Sequence, residues 1–177
     1  MTTIDKNRPF IKVNIAILTI SDSRSLENDK SGDLLSERIK GSGHRVFARH
    51  IVKDDKNEIK KILLRWVEDK MVDVVISTGG TGVTGKDLTP EVFDEILDKK
   101  IPGFGELFRW LSYKKIGAST LQSRATAGVR KGTYLFSLPG STGACKDAWD
   151  QILIHQLDNR YRPCNLVELM PRLQENK

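Results

Sequence analysis

Soft metal ligands are scarce in this sequence: it has two cysteines, Cys145 and Cys164, and three histidines, at 44, 50 and 155. They form no C-x-x-C pair and no His/Cys cluster, so neither a zinc site nor a disulfide framework organises the fold, and both thiols are read as reduced. No run is long and apolar enough to cross a bilayer. The stretch from Met1 to Pro9 is polar and lacks the apolar core of a signal peptide, which predicts a cytoplasmic location and no membrane partner. Basic residues outnumber acids, for a net charge of +6, but they are interleaved with acids rather than gathered. No basic run with stacking aromatics is present, nor a zinc-finger or RNA-recognition signature, so nucleic acid is not an expected partner. The charge favours anionic ligands in general. Internal repeats and low-complexity linkers are missing too.

What remains is an ordinary globular composition, 38% hydrophobic and 29% charged over 177 residues, enough for one domain that buries roughly two thirds of its unfolded surface. The pattern alternates strands and helices. Lys12–Ile20 (KVNIAILTI) is a short β-branched run that predicts a buried strand. A helix is expected over 31–40, ended by Gly41 and Gly43, then a strand over 44–52. Over 56–70, Ile59, Ile62, Leu63, Trp66 and Val67 follow the spacing of one buried helical stripe. A strand over 72–77 precedes a glycine-rich loop, Thr78 to Asp87. Thr89-Pro90 then looks like an N-cap followed by proline at the first helical position, with a helix to about Lys99. Pro102 opens another helix, Ser119–Gly128 is a loop or short strand, 133–138 is a strand, and Pro139–Gly143 turns into a last long helix through Leu157. From Arg160 onward the chain reads as irregular. Such alternation implies right-handed crossovers and a mostly parallel sheet covered on both faces, with ligands bound beyond the carboxyl ends of the strands.

Three small, polar loops leave strand ends: Ser21-Asp22-Ser23-Arg24, Thr78 to Asp87, and Pro139 to Gly143. In a parallel sheet they share one edge, and this convergence is the sequence's main functional signal. The middle loop imitates two known patterns. Gly80, Gly82 and Gly85 satisfy G-x-G-x-x-G, but a dinucleotide fold opens its helix among the glycines of the first strand–helix unit. Gly80 to Lys86 reads G-x-x-x-x-G-K, but Asp87 stands where a P-loop needs Ser or Thr, and the residue before Pro90 disfavours a helix there. What survives is a loop whose amides approach an anion closely. Asp87 is a candidate magnesium ligand or a turn cap. Asp54 and Asp55 end the second predicted strand, as a metal-binding acid or a helix cap. The loop before the last helix is an anion site, with Ser141 or Thr142 also able to cap. Cys145, in the first turn, is expected to have a somewhat lowered pKa but no base partner. Ser123 and Arg124 are candidates for polar ligand contact. Phe104, Phe108, Trp110 and Tyr113 are too dense for one core alone, which points to a subunit interface or a thoroughly buried helix.

T-G-G-T-G at 78–82, D-L-T-P-E at 87–91, P-G-F-G-E-L-F-R at 102–109, L-Q-S-R-A-T-A-G at 121–128 and L-P-G-S-T-G-A-C at 138–145 together resemble the MoaB/MogA family of molybdenum cofactor biosynthesis. The closing L-D-N-R-Y-R-P-C-N, at 157–165, is similar to the MoaB branch. The likeness implies a three-layer α/β/α sandwich with a mostly parallel central sheet, the molybdopterin-binding, MogA-like fold, over residues 13–165. A flexible N-terminal segment over 1–12 and a tail over 166–177 flank it. It implies a homo-oligomer, trimer or hexamer. It implies molybdopterin as substrate, adenylylated with ATP and magnesium before a separate enzyme inserts molybdate or tungstate. The alternative is a non-catalytic molybdopterin-binding oligomer. By motif, Asp87 matches a family catalytic aspartate and Asp54 the acid after the second strand, both as metal ligands. Thr78, Gly79, Gly80, Thr81 and Gly82 match the phosphate cradle. Ser21, Glu106, Ser123, Arg124, Pro139, Gly140 and Ser141 complete the expected substrate- and nucleotide-binding set. Where the wider family often reads V-P-D-D, this chain has Val52-Lys53-Asp54-Asp55, which leaves the roles of the two aspartates open. The guanine-reading N-K-x-D motif is missing, which weighs against a GTP-binding module.

Overall fold

The computed structural model describes residues 3–175; Met1, Thr2, Asn176 and Lys177, the outermost parts of the expected N-terminal segment and tail, lie outside the described residues. In chain order the elements are β1 (Thr3–Ile4), β2 (Asn14–Ile20), α1 (Lys30–Gly41), β3 (Arg45–Val52), α2 (Lys56–Glu68), β4 (Val74–Thr78), α3 (Thr89–Ile96), β5 (Lys99–Lys100), α4 (Pro102–Ile116), β6 (Thr126–Arg130), β7 (Thr133–Leu138), α5 (Thr142–Ala148), α6 (Ile154–Gln156) and β8 (Tyr161–Arg162). A 3-10 turn over Gly117–Gln122 links α4 to β6, and a π-helical turn over Trp149–Leu153 joins α5 to α6. The expected last long helix is thus three short helical pieces in series.

The central sheet has the strand order β3-β2-β4-β7-β6-β5. Its first four strands are parallel; β6 runs antiparallel to β7, and β5 antiparallel to β6. The parallel strands read as unbroken apolar runs because both faces are covered. Within β2, Ile15 and Ile17 join one buried cluster with Leu35, Phe104 and Trp149, while Ala16, Leu18 and Ile20 join the other with Ile59, Leu63 and Phe93. β4 and β7 divide in the same way, Ile76 and Phe136 to the first cluster, Val75 and Leu135 to the second. Two apolar cores on opposite sides of one sheet make a three-layer α/β/α sandwich.

The sequence explains the helix ends. Asp55 caps α2, its Oδ1 accepting from the Asn57 and Glu58 amides at 2.9 Å, an arrangement that stabilises a helix by about 1 kcal/mol. Ile59, Leu63, Trp66 and Val67 bury its expected stripe. α3 ends at Ile96, short of Lys99, because Lys99 and Lys100 pair with Val129 and Gly128 as an edge strand. An edge made of two lysines resists further strand addition. Near the termini, Thr3 and Ile4 pair antiparallel with Arg162 and Tyr161, and the Ile11 amide donates to Asn159 Oδ1 at 2.8 Å.

For function the register matters most. Ile20 lies beside Val52, Thr19 beside Thr78, and Thr78 beside Leu138. Four neighbouring strands therefore end level, and the loops that leave them start only a strand spacing apart.

Candidate functional site

The loop after β4 turns at once. Gly79 and Gly80 have φ of +111° and +62°, values that a side chain opposes. A Cβ on Gly79 would run into the Ile20 backbone oxygen, and one on Gly80 would lie 2.5 Å from Thr89 Oγ1 and 2.9 Å from Asp54 Oδ1. Thr89 does not cap α3 with its side chain, contrary to the sequence-based expectation; its hydroxyl donates to the Gly79 carbonyl at 2.9 Å and secures the turn. The loop after β7 touches this turn: a Cβ on Gly140 would lie 3.3 Å from the Gly79 Cα. Thr78 Oγ1 donates to the Pro139 carbonyl at 3.0 Å, and the Gly79 amide to the Leu138 carbonyl at 3.0 Å. The two glycine loops are thus one continuous surface.

They floor a cleft of about 660 Å³, a size that suits a small-molecule ligand. Of the residues expected from sequence, Ser21, Asp54, Gly79 to Gly82, Asp87, Ser123, Pro139, Gly140 and Ser141 line it. Three do not. Thr78 is buried beneath the floor, where it holds the two loops together. Glu106 is exposed on α4, away from the cleft lining. Arg124 braces the glycine loop from behind: its Nε donates to the Gly82 carbonyl and its Nη2 to the Asp87 carbonyl, both at 2.6 Å, and it pairs with Glu91.

The acids of the cleft are distinguished by their partners. Asp55 is spent on capping α2, which leaves Asp54 to face the cleft. Burial, and then the charges of Asp22 and Asp87, raise the Asp54 carboxyl above its ordinary pKa. Burial also pushes Asp87 upward, but hydrogen bonds outweigh it and hold that carboxyl below its usual value. The Thr84 hydroxyl donates to Asp87 Oδ2 at 2.7 Å and the Thr84 amide to the same atom at 2.9 Å. At the mouth, Lys86 pairs with Asp22 at 2.9 Å, and Asp22 accepts from the Asp54 amide at 3.2 Å. Among the described residues no group of three or more His, Cys, Asp or Glu side chains is arranged to hold a metal. Cys145 lies under the floor with Sγ 3.1 Å from Thr78 Oγ1, and burial pushes its thiol up to about 11. The lowered value expected at a helix start is overturned by desolvation, and the thiol is inert.

Sequence reading missed the opposite wall. α4 and the 3-10 turn after it contribute Phe108, Ser112, Lys115, Thr120 and Gln122, and Lys115 pairs with Asp147 of α5 across the cleft. No local signal announces this wall, because α4 reaches the strand ends only through tertiary packing on β6 and α5. Arg24 was visible only as a polar loop residue; it lines the cleft and donates to the Gly140 carbonyl at 2.8 Å.

Residues 16–159 match a family model described as "Probable molybdopterin binding domain". Molybdenum cofactor biosynthesis protein B of Escherichia coli (strain K12) is 47% identical over 156 residues, 88% of this chain and 92% of that protein. A crystal structure of a molybdenum cofactor biosynthesis protein B superposes with a TM-score of 0.86 at 40% identity, covering 96% of this chain and all of that one. The tungsten cofactor synthesizing protein MoaB from Pyrococcus furiosus superposes with a TM-score of 0.76 at 33% identity over 93% of this chain and 98% of that one.

Proposed function

The chain belongs to the molybdopterin-binding domain family and has its role in molybdenum cofactor biosynthesis, and on that premise we propose that the cleft binds molybdopterin and ATP and adenylylates the pterin. The observation that carries this reading is the meeting of Gly79–Gly82 and Gly140–Ser141 on one floor that Asp54 and Asp87 also line. Backbone amides that line a cleft suit phosphates. The oxygen of the terminal phosphate of molybdopterin attacks the α-phosphorus of ATP, the new P–O–P bond forms, and the bond to the β-phosphate breaks to release pyrophosphate. Such transfer needs alignment and charge neutralisation more than a strong base. The glycine-loop amides hold phosphate oxygens, the wall from α4 keeps water off the reacting atoms, and Arg24, Lys115 and Lys146 line the cleft as cations, with Lys86 close enough to act on Asp54.

Asp54 and Asp87 would hold magnesium. The fit rests on their chemistry: both are hard oxygen donors, and Asp54, whose carboxyl is raised first by burial and then by the charges of Asp22 and Asp87, sits where a cation would offset negative charge. Two carboxylates suffice for an ion that keeps several waters and takes the rest of its ligands from phosphates. When bound, magnesium supplies neutralisation of phosphate charge. The exposed side chains of Leu107, Trp110, Tyr113, Ile116 and Leu121 along α4 and the turn after it support assembly into a trimer or hexamer, whereas Phe104 and Phe108 are buried. The product would pass to a separate molybdate-inserting enzyme in the cytoplasm.

The test is incubation with molybdopterin, ATP and magnesium, with adenylylated pterin read by mass spectrometry. Asp87→Asn should lower turnover roughly 100- to 1000-fold while sparing pterin binding. Near-normal turnover in that variant excludes Asp87 as a metal ligand. Product absent from the unaltered protein, with molybdopterin still bound, selects the non-catalytic reading, in which Asp87 serves only its turn with Thr84.

A further inference from the structure

A fully buried carboxylate lies behind the second glycine loop. Asp29 is 0% exposed, and its oxygens accept from the Thr19 hydroxyl at 2.7 Å, Arg49 Nη2 at 2.9 Å and the Gly32 amide at 3.0 Å. Arg24 Nη1 stands 3.4 Å from Asp29 Oδ1 and 3.0 Å from the Ser31 hydroxyl oxygen. Both reach one further atom: Arg24 Nη2 donates to the Gly140 carbonyl at 2.8 Å, and the Ser31 hydroxyl donates to the same oxygen at 3.1 Å. A single loop carbonyl thus accepts twice from a segment more than a hundred residues away, backed by a buried charge. The peptide that carries this carbonyl also carries the Ser141 N–H on its opposite side, and the plane is rigid. Among the described residues that N–H has no hydrogen-bond partner.

We propose that Arg24 is a positioning residue for this site: seated on Asp29 and Ser31, it holds the Gly140–Ser141 peptide in the one orientation that presents the loop amides to a phosphate of the ligand. This rests on the function proposed above, and it adds a residue that no motif match assigns. The logic is that of an oriented donor, whose worth depends on its being held before the ligand arrives. A charged donor is the suitable clamp, because hydrogen bonds from a guanidinium are about twice as strong as neutral ones. Asp29 keeps Arg49, Thr19 and the Gly32 amide when Arg24 is lost, so an Arg24 variant retains a satisfied buried carboxylate and should fold.

The experiment compares the unaltered protein with Arg24→Met and Arg24→Lys. Calorimetry measures affinity for ATP and for molybdopterin, each with magnesium, and hydrogen exchange in the free protein follows the Ala144 and Cys145 amides, which bond to Ser141. Arg24→Met should weaken binding of at least one ligand roughly 10- to 100-fold and speed exchange at those two amides about tenfold, with β4 amides unchanged. Arg24→Lys, which keeps one donor group and the charge, should recover part of both. A Tm lowered in Arg24→Met with affinities within twofold of the unaltered protein makes the residue merely structural and overturns the proposal. Lost affinity with unchanged exchange makes Arg24 a direct ligand contact, and equally overturns it. If the unaltered protein binds neither ligand, the proposed function fails, and the exchange result alone decides whether Arg24 holds the loop.

Discussion

The two glycine loops meet on one floor, and each has a carbonyl held by a distant arginine, yet their turns are made differently. The loop after β4 makes its own turn, although Arg124 braces its Gly82 and Asp87 carbonyls from outside. Its turn comes from positive φ at Gly79 and Gly80, its acid is held by Thr84 three residues away, and Thr89 secures it ten residues on. The loop after β7 has no charged residue and no residue of positive φ; its carbonyl is pinned by Arg24 and Ser31, which a buried Asp29 fixes in place. The difference teaches that a loop can be specified by its own residues or by a distant network. The first kind announces itself in sequence and the second does not.

Substitution of the glycines sharpens this contrast most. Gly79→Ala adds a Cβ against the Ile20 backbone at a φ that alanine resists, and urea unfolding should show a loss of about 3 kcal/mol or more. Gly140→Ala meets the Gly79 backbone, its Cα at 3.3 Å and its N at 3.8 Å, so a shift of a few tenths of an ångström should accommodate it, at about 1 kcal/mol or less. Equal losses at the two positions would erase the distinction between a loop made by its own conformation and one held from outside.

A second measurement separates cleft from core. Burial pushes His44 down to about 4, with Asp158 pulling the other way. Its ring is buried against Phe10 and Trp149, and Nδ1 accepts weakly from the Val13 amide at 3.4 Å. The folded pKa lies below the unfolded value near 6.5, so the neutral ring's contribution is complete above about pH 6.5 and is lost as pH falls towards 4. The loss should reach about 3 kcal/mol at most. Urea midpoints from pH 7 to pH 4 should fall more steeply for the unaltered protein than for His44→Gln, with ligand affinity at pH 7 the same in both. Parallel slopes would remove His44 as the cause.

The smallest effect belongs to the mouth. Lys86 and Asp22 have side chains 81% and 45% exposed, so their ion pair contributes little. Lys86→Ala should change stability by less than about 1 kcal/mol, while affinity for ATP falls several-fold and becomes less sensitive to added salt than that of the unaltered protein. An unchanged affinity would take Lys86 out of the ligand's reach.

Much of the fold was legible because its signals are local. The strand at 133–138 was placed to the residue, since Tyr134–Leu138 is an apolar run between Gly132 and Pro139. The stripe of α2 was read from spacing alone. The end of α3 was not, because Lys99 and Lys100 become a strand only by pairing with Val129 and Gly128. In the site, Asp54 was legible as an acid at a strand end and Asp87 as the acid that closes the glycine-rich loop. Their division from Asp55 was not, because only the cap on Asn57 and Glu58 shows which carboxylate is already occupied. Arg124 was legible as a polar residue in a suggestive motif, but its direction, towards the back of the Gly82 loop, is a matter of packing.

By itself the sequence determined the alternation of strands and helices, the apolar faces of the sheet, and the glycine turn at 79–80, since periodicity and backbone sterics act over a few residues. The tertiary structure alone decided that four strand ends stand level, that α4 closes the cleft, and that Arg24 reaches Gly140. Those outcomes depend on register and on contacts between segments far apart in the chain, whose geometry exists only once both cores have packed.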